Sequence, residues 1–150
     1  MVDIRTAVEI GAPPAEVWSV LIDFAGMAAW NPFIRSIVGE AVAGSRLRVT
    51  IAPPGKTERT FEPSVLAAVP GRELRWLGTV LGGWMFSGEH YFQLAPAQPG
   101  ATLFVHGERF SGILAPLIMR GQMLAATERG FALMNEALKK RCESSGRSPV

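Results

Sequence analysis

Two histidines and a glutamate carry the strongest chemical signal in this chain: His90, His106 and Glu108. They lie in two segments, 84–95 and 101–110, whose apolar and polar residues alternate as in strands, and turn residues 96–100 separate the segments. Centring the hairpin near Gln98 predicts His90 opposite His106 and Gly88 opposite Glu108. All four then share a face with Phe86, Phe92, Phe104 and Phe110. Opposite residues have Cβ atoms about 4.5–5.5 Å apart, within reach of direct or water-mediated hydrogen bonds. Histidine titrates near neutral pH, so such a cluster over an apolar pocket can move protons on a bound carbonyl or enol. The same residues equally suit a buried polar network that satisfies itself, or that orients a ligand without chemistry.

Other chemical signals are weaker. No spacing motif of a metal site accompanies the two histidines, so neither a metal nor another cofactor is expected. Cys142 has no histidine close in sequence and does not read as a nucleophile. Gly55-Lys56-Thr57 looks like the end of a phosphate loop, but Thr50 stands where that motif needs glycine and no helix follows. It reads as a hairpin turn.

These residues need a frame, and residues 113–142 supply its longest piece. Helical spacing puts Ile113, Leu117, Leu124, Phe131, Leu138 and Cys142 on one stripe. Pro116 is tolerated only in a first turn, which predicts a helix starting near 113–115. Lys139, Lys140 and Arg141 suit its last turn. Glu128 and Asn135 fall on the stripe's edge, where they meet either solvent or a cavity. Gly121 and Gly130 mark curvature or close approach to a sheet. Upstream, residues 3–10 alternate as a half-buried strand, and Pro14 opens a helix whose Val17, Val20, Leu21 and Phe24 share a face. A second short helix runs to Trp30 and is stopped by Asn31-Pro32. Strands are predicted at 33–42, 46–52, 58–68, 72–80, 84–95 and 101–110. Placing Val65 opposite Trp76 puts Phe61, Val65, Leu74 and Trp76 on the inner face. This pattern is α+β, with an antiparallel sheet covered on one side.

Composition narrows the classes further. A content of 48% hydrophobic residues suits one globular domain, assigned to 1–143, with 144–150 as a flexible tail. A net charge of +2 with scattered bases offers no track for nucleic acid. Asp3, Arg5 and Glu9 make the start unlike a secretory signal, and no apolar run is long enough for stable membrane insertion. One cysteine excludes an internal disulfide and suits the cytoplasm. Oligomeric state is left open.

Residues 13–18 (Pro-Pro-Ala-Glu-Val-Trp), Asp23-Phe24, Trp30-Asn31-Pro32-Phe33 and 70–76 (Pro-Gly-Arg-Glu-Leu-Arg-Trp) together resemble the START-like, or SRPBCC, superfamily. So do 102–112, Gly130-Phe131 and 134–139, and the likeness is nearest the bacterial polyketide cyclase/dehydratase-like branch. The resemblance implies a helix-grip fold, with a seven-stranded curved antiparallel sheet around the long C-terminal helix and a cavity between them. Two short helices after the first strand would rim that cavity. It covers nearly the whole chain and is specific for fold rather than function.

The expected function is binding of a hydrophobic small molecule of lipid, polyketide or aromatic class. The cavity is expected between the long helix and the faces carrying Trp76, His90, Phe104 and His106. Trp30, Asn31, Trp76, Phe86, Phe92, Phe104, Phe110, Leu124, Glu128 and Phe131 are its expected lining. Arg120 and Met123 are expected near its mouth. One alternative is metal-free acid/base chemistry of a polyketide cyclase/dehydratase-like enzyme, with His90, His106 and Glu108 as catalytic residues. Another is a protein-binding module resembling chaperone activators, using the outer sheet or the short helices.

Overall fold

The computed structural model describes residues 1–145. Strand β1 (Val2–Ile10) turns Ile4 and Ile10 inward and leads into α1 (Pro14–Ile22), with Pro14 in its first turn. A 3-10 turn, Phe24–Gly26, precedes the single turn α2 (Met27–Trp30). Strands β2 (Ile34–Val38), β3 (Arg48–Ile51), β4 (Arg59–Phe61), β5 (Ser64–Val69), β6 (Glu73–Val80), β7 (Phe86–Pro96) and β8 (Thr102–Ser111) follow. The chain then forms α3 (Ala115–Ile118) and α4 (Gly121–Ser145).

The architecture is α+β with antiparallel pairing throughout, but the strands divide into two sheets rather than one seven-stranded sheet. Five strands pair in the order β1-β8-β7-β6-β5, and three in the order β2-β3-β4. The expected strand 58–68 is broken between β4 and β5 by Glu62-Pro63. Pro63 has no N–H to give a ladder, although its carbonyl still accepts the N–H of Leu47 at 2.8 Å. The pairing of Val65 with Trp76 is present.

The long helix also begins later than its apolar period suggests. Gly121 takes φ +53, a left-handed conformation that glycine adopts at little cost, and this separates α3 from α4. Ile113 and Leu117 consequently leave the stripe and stand 67% and 57% exposed. Phe131, Leu138 and Cys142 remain in the core, with Leu124 packed against it. Helix α4 continues to Ser145, past the expected domain end and one turn beyond the basic cluster; residues 146–150 lie outside the described residues. Its C-terminal part is tied to the first sheet. The Lys139 ammonium donates to the Glu9 carbonyl at 2.9 Å, and the Glu143 carboxylate accepts the Gly11 N–H at 2.8 Å.

Helix α4 lies across β1 and β8, with α1 and α2 beside it. Gly130 marks the point of close approach. A β-carbon there would run into the buried Phe33 ring, which itself meets Phe131 edge-on at 5.4 Å. Gly130→Ala should therefore destabilise the protein by about 1–3 kcal/mol through overpacking, despite a gain of roughly 1 kcal/mol in helix propensity. Urea unfolding measures the balance; a more stable variant would show that Phe33 yields freely.

Candidate functional site

The β7–β8 hairpin brings the two histidines and the glutamate together, in a register shifted by two residues from the expected one. His90 pairs with Glu108 and Phe92 with His106, while Gly88 faces Phe110. The turn centres one residue later than Gln98, with the Ala101 N–H bonded to the Gln98 carbonyl at 2.9 Å and Gly100 at φ +79. A shift of two keeps every side chain on its face, so the cluster survives. Gly88 still makes room for Glu108: a β-carbon there would collide with the carboxylate leaning across from β8.

Hydrogen bonding orders this cluster from the core outward. Thr6 Oγ1 lies 2.8 Å from the carbonyl oxygen of His106, which can only accept, so the hydroxyl proton is committed there. Thr6 Oγ1 must then accept from the Asn135 amide nitrogen, also at 2.8 Å. That turns the Asn135 oxygen toward His106 Nδ1 at 2.9 Å, so His106 carries its proton on Nδ1. Its Nε2 is left as an acceptor for His90 Nε2–H at 2.8 Å. His90 Nδ1 and Glu108 Oε1, 3.0 Å apart, consequently share one proton, as imidazolium with carboxylate or as imidazole with carboxylic acid. No buried side-chain nitrogen or oxygen among the described residues lacks a partner.

Aromatic rings wall the network. The His106 ring stacks on Phe131 at 4.0 Å with 9° between planes, and His90 stacks on Trp76 at 5.1 Å. Trp76, Phe92, Phe104 and Phe131 are each at most 1% exposed and fill the space beneath the histidines solidly. The cavity expected there is displaced along the sheet.

Open space begins where Glu108 ends. A cavity of about 450 Å³ is bounded by β3 and β4, the distal halves of β6 and β7, and the first turns of α4. Gly78 and Gly88, paired across β6 and β7, leave part of its wall without side chains. Ile51, Phe61, Val80, Phe86 and Met123 supply apolar surface, and Thr60, Thr79, Thr127, Arg59, Glu62 and Glu108 supply polar groups.

Of the expected lining residues, Phe86 borders the cavity, as does Glu108 from the proton-bearing group. Phe110 lies behind Phe86, with the rings stacked at 5.9 Å. Leu124 packs on the core, Glu128 points to solvent, and Trp30 is half-buried against the core. Asn31 is buried and satisfies its own turn, its Oδ1 accepting the N–H groups of Phe33 and Ile34. Met123 reaches the cavity, whereas Arg120 is exposed and outside its lining. Thr6 and Asn135 complete the network; their signal was a polar residue within an otherwise apolar row. Both nitrogens of each histidine are engaged, and no group of three or more His, Cys, Asp or Glu among the described residues is arranged to hold a metal ion.

Burial holds the His106 pKa well below 6.5; the neighbouring His90 charge lowers it further, and the bond to Asn135 partly opposes this. Unfolding restores the ordinary value, so the unfolded chain binds a proton that the folded chain refuses. The His106 contribution to stability is thus present above about pH 6.5 and is lost below it, by up to about 1.4 kcal/mol per pH unit. Urea unfolding followed from neutral pH downward should show that loss together with proton uptake, and His106→Gln should remove this residue's share of the slope. A slope unchanged in the variant would contradict the assignment.

The family described as polyketide cyclase / dehydrase and lipid transport matches residues 1–143. No curated protein sequence matches the chain. Among solved structures, the chain is similar to the Zhui aromatase/cyclase from a Streptomyces species, with 19% identity and a TM-score of 0.78, over 98% of this chain and 96% of that one. A START superfamily protein from Mycobacterium smegmatis is similar at 21% identity and a TM-score of 0.73, over 95% and 98% of the two chains. A Thermus thermophilus protein gives 17% identity and a TM-score of 0.75, over 97% and 100%. These structures share the fold, and the match to residues 1–143 shows that the chain belongs to the polyketide cyclase / dehydrase and lipid-transport family.

Proposed function

We propose that this protein binds a hydrophobic small molecule, of lipid, polyketide or aromatic class, in the cavity between the sheets and the start of α4. The observation that carries the reading is the side-chain-free wall at Gly78 and Gly88, closed at its inner end by Glu108. A volume of about 450 Å³ falls in the range of small-molecule sites, which combine apolar walls with a few placed polar groups. Glu108 Oε1 is engaged by His90, which leaves Oε2 to orient a polar group of the ligand. A cytoplasmic setting belongs to the proposal and is supported by the single, free Cys142.

The His90–Glu108 pair favours a second reading, acid/base catalysis of cyclisation or dehydration. As a carboxylate, Glu108 can take a proton from the carbon beside a ligand carbonyl. The electron pair left on that carbon forms a carbon–carbon double bond as the C–O bond on the next carbon breaks. Glu108 returns the proton to the departing hydroxyl, which leaves as water, so the pair ends in its starting state. His106, Asn135 and Thr6 would hold His90 in position without touching the ligand.

Filling the cavity separates binding from its alternatives. Gly78→Val places a branched side chain on the extended wall, away from the histidines, with Phe61 as its tightest neighbour at 3.3 Å. It should weaken binding of the apolar fluorophore N-phenyl-1-naphthylamine about tenfold or more, since little of the small ligand's contact area can be lost without cost, while the fold keeps its stability. Unchanged fluorophore binding would contradict the assigned cavity. Native mass spectrometry of protein purified gently from its host would then identify the class of a retained ligand. With that ligand in hand, Glu108→Gln should leave affinity largely intact and lower turnover by roughly 100-fold if the second reading holds. Weaker binding with no reaction in the wild type would support the first.

A further inference from the structure

Beside the cavity stands an apolar tip that the binding reading does not use. Val80, Leu81 and Trp84 at the β6–β7 turn, with Ile113 and Leu117 after β8, are 52%, 74%, 69%, 67% and 57% exposed. The Ile113 N–H donates to the Trp84 carbonyl and the Leu114 N–H to the Met85 carbonyl, both at 3.0 Å, which joins the two segments. Leu81 sits at φ +57, a conformation that leucine rarely adopts, and it holds a large apolar side chain in solvent. No charged residue occurs from Trp76 to Gly88 or from Phe110 to Met119. Val80 is shared with the cavity lining, so the tip adjoins the cavity mouth.

We infer that this tip docks the protein, shallowly and reversibly, on the surface of a lipid bilayer. Five apolar side chains are far fewer than the roughly 20–30 residues a side of a stable protein interface, which argues against a second copy of the chain. They match the demands of a bilayer surface, which accepts a small apolar wedge, with tryptophan at the headgroup level, without a shaped partner. Charge at the margins agrees. Exposed Arg59 lines the cavity, as Val80 does, and exposed Arg120 closely follows Leu117; of the two lining carboxylates, Glu62 lies 3.9 Å from Arg46 and Glu108 is bonded to His90. Cations so placed face lipid phosphates and favour anionic membranes. Docking there would set the cavity mouth against the acyl–headgroup boundary. No described helix is long and apolar enough to cross a membrane.

The test uses the whole protein without any cavity ligand, so its failure leaves the cavity reading standing. Vesicles of phosphatidylcholine, with and without phosphatidylglycerol, are sedimented with the protein, and tryptophan fluorescence is read with acyl-brominated lipid. Trp18 and Trp76 are buried and Trp30 half-buried, which makes Trp84 the accessible reporter. The expected result is binding to both vesicles, tighter with phosphatidylglycerol, and quenching that Trp84→Ser abolishes together with about a tenfold loss of binding. Leu81→Gly should relieve the backbone, leaving thermal stability unchanged or higher, and still weaken binding severalfold; this separates docking from folding. Absence of vesicle binding overturns the proposal. So does binding that salt removes and Trp84→Ser leaves unchanged. A concentration-dependent dimer dissociated by Trp84→Ser, without vesicle binding, would assign the tip to a second copy instead.

Discussion

The bond from the Thr6 hydroxyl to the His106 carbonyl sets the direction of the protons behind it in the site. A threonine hydroxyl has one proton, and once that proton is committed to a carbonyl the oxygen can only accept. Asn135, His106 and His90 are then oriented in turn, each by the group behind it. An amide does not pass protons along as an imidazole can, so the chain ending at Asn135 is an anchor rather than a conduit. What it fixes is the His90–Glu108 pair, with one shared proton beside the cavity. Because His90, His106 and Asn135 are buried and satisfied, breaking the bonds between His90 and His106 or between His106 and Asn135 strands polar atoms in the core.

Space and rigidity are divided between two ends of the same sheet. Around the histidines, Trp76, Phe92, Phe104 and Phe131 exclude solvent and hold the rings. Further along β6 and β7, the glycine pair removes side chains, and the break at Pro63 carries β4 into a second sheet facing the gap. Glu108 lies at the boundary and belongs to both: its Oε1 is held by the network while its side chain borders the cavity. The arrangement places a proton-bearing group beside open volume without exposing the groups that orient it.

Much of this was legible in the residues. Alternation in β7 and β8 assigned His90, His106 and Glu108 to one face, and that assignment tolerated an error of two in the register because side chains repeat with period two. The turn itself was harder to place, since Gln98, Pro99 and Gly100 admit more than one centre until Gly100 takes its positive φ. Gly121 was visible, but whether it bends a helix or ends one depends on backbone angles that composition does not reveal. Asn135 offered a choice between solvent and interior that helical spacing alone leaves open; its pairing with Thr6 joins residues from opposite ends of the chain. The cavity was displaced for a related reason. Aromatic rows mark an inner face without saying which part of it is filled, whereas the cross-strand meeting of Gly78 and Gly88 depends on register.

The central claim is the proton order of the network, and long-range proton–nitrogen correlation spectra of the two histidine side chains read it directly. At neutral pH the account predicts a neutral His106 with its proton on Nδ1 and a bare Nε2, and His90 protonated on Nε2. A His106 ring protonated on Nε2 would contradict the account, because the chain from Thr6 through Asn135 would then run the other way.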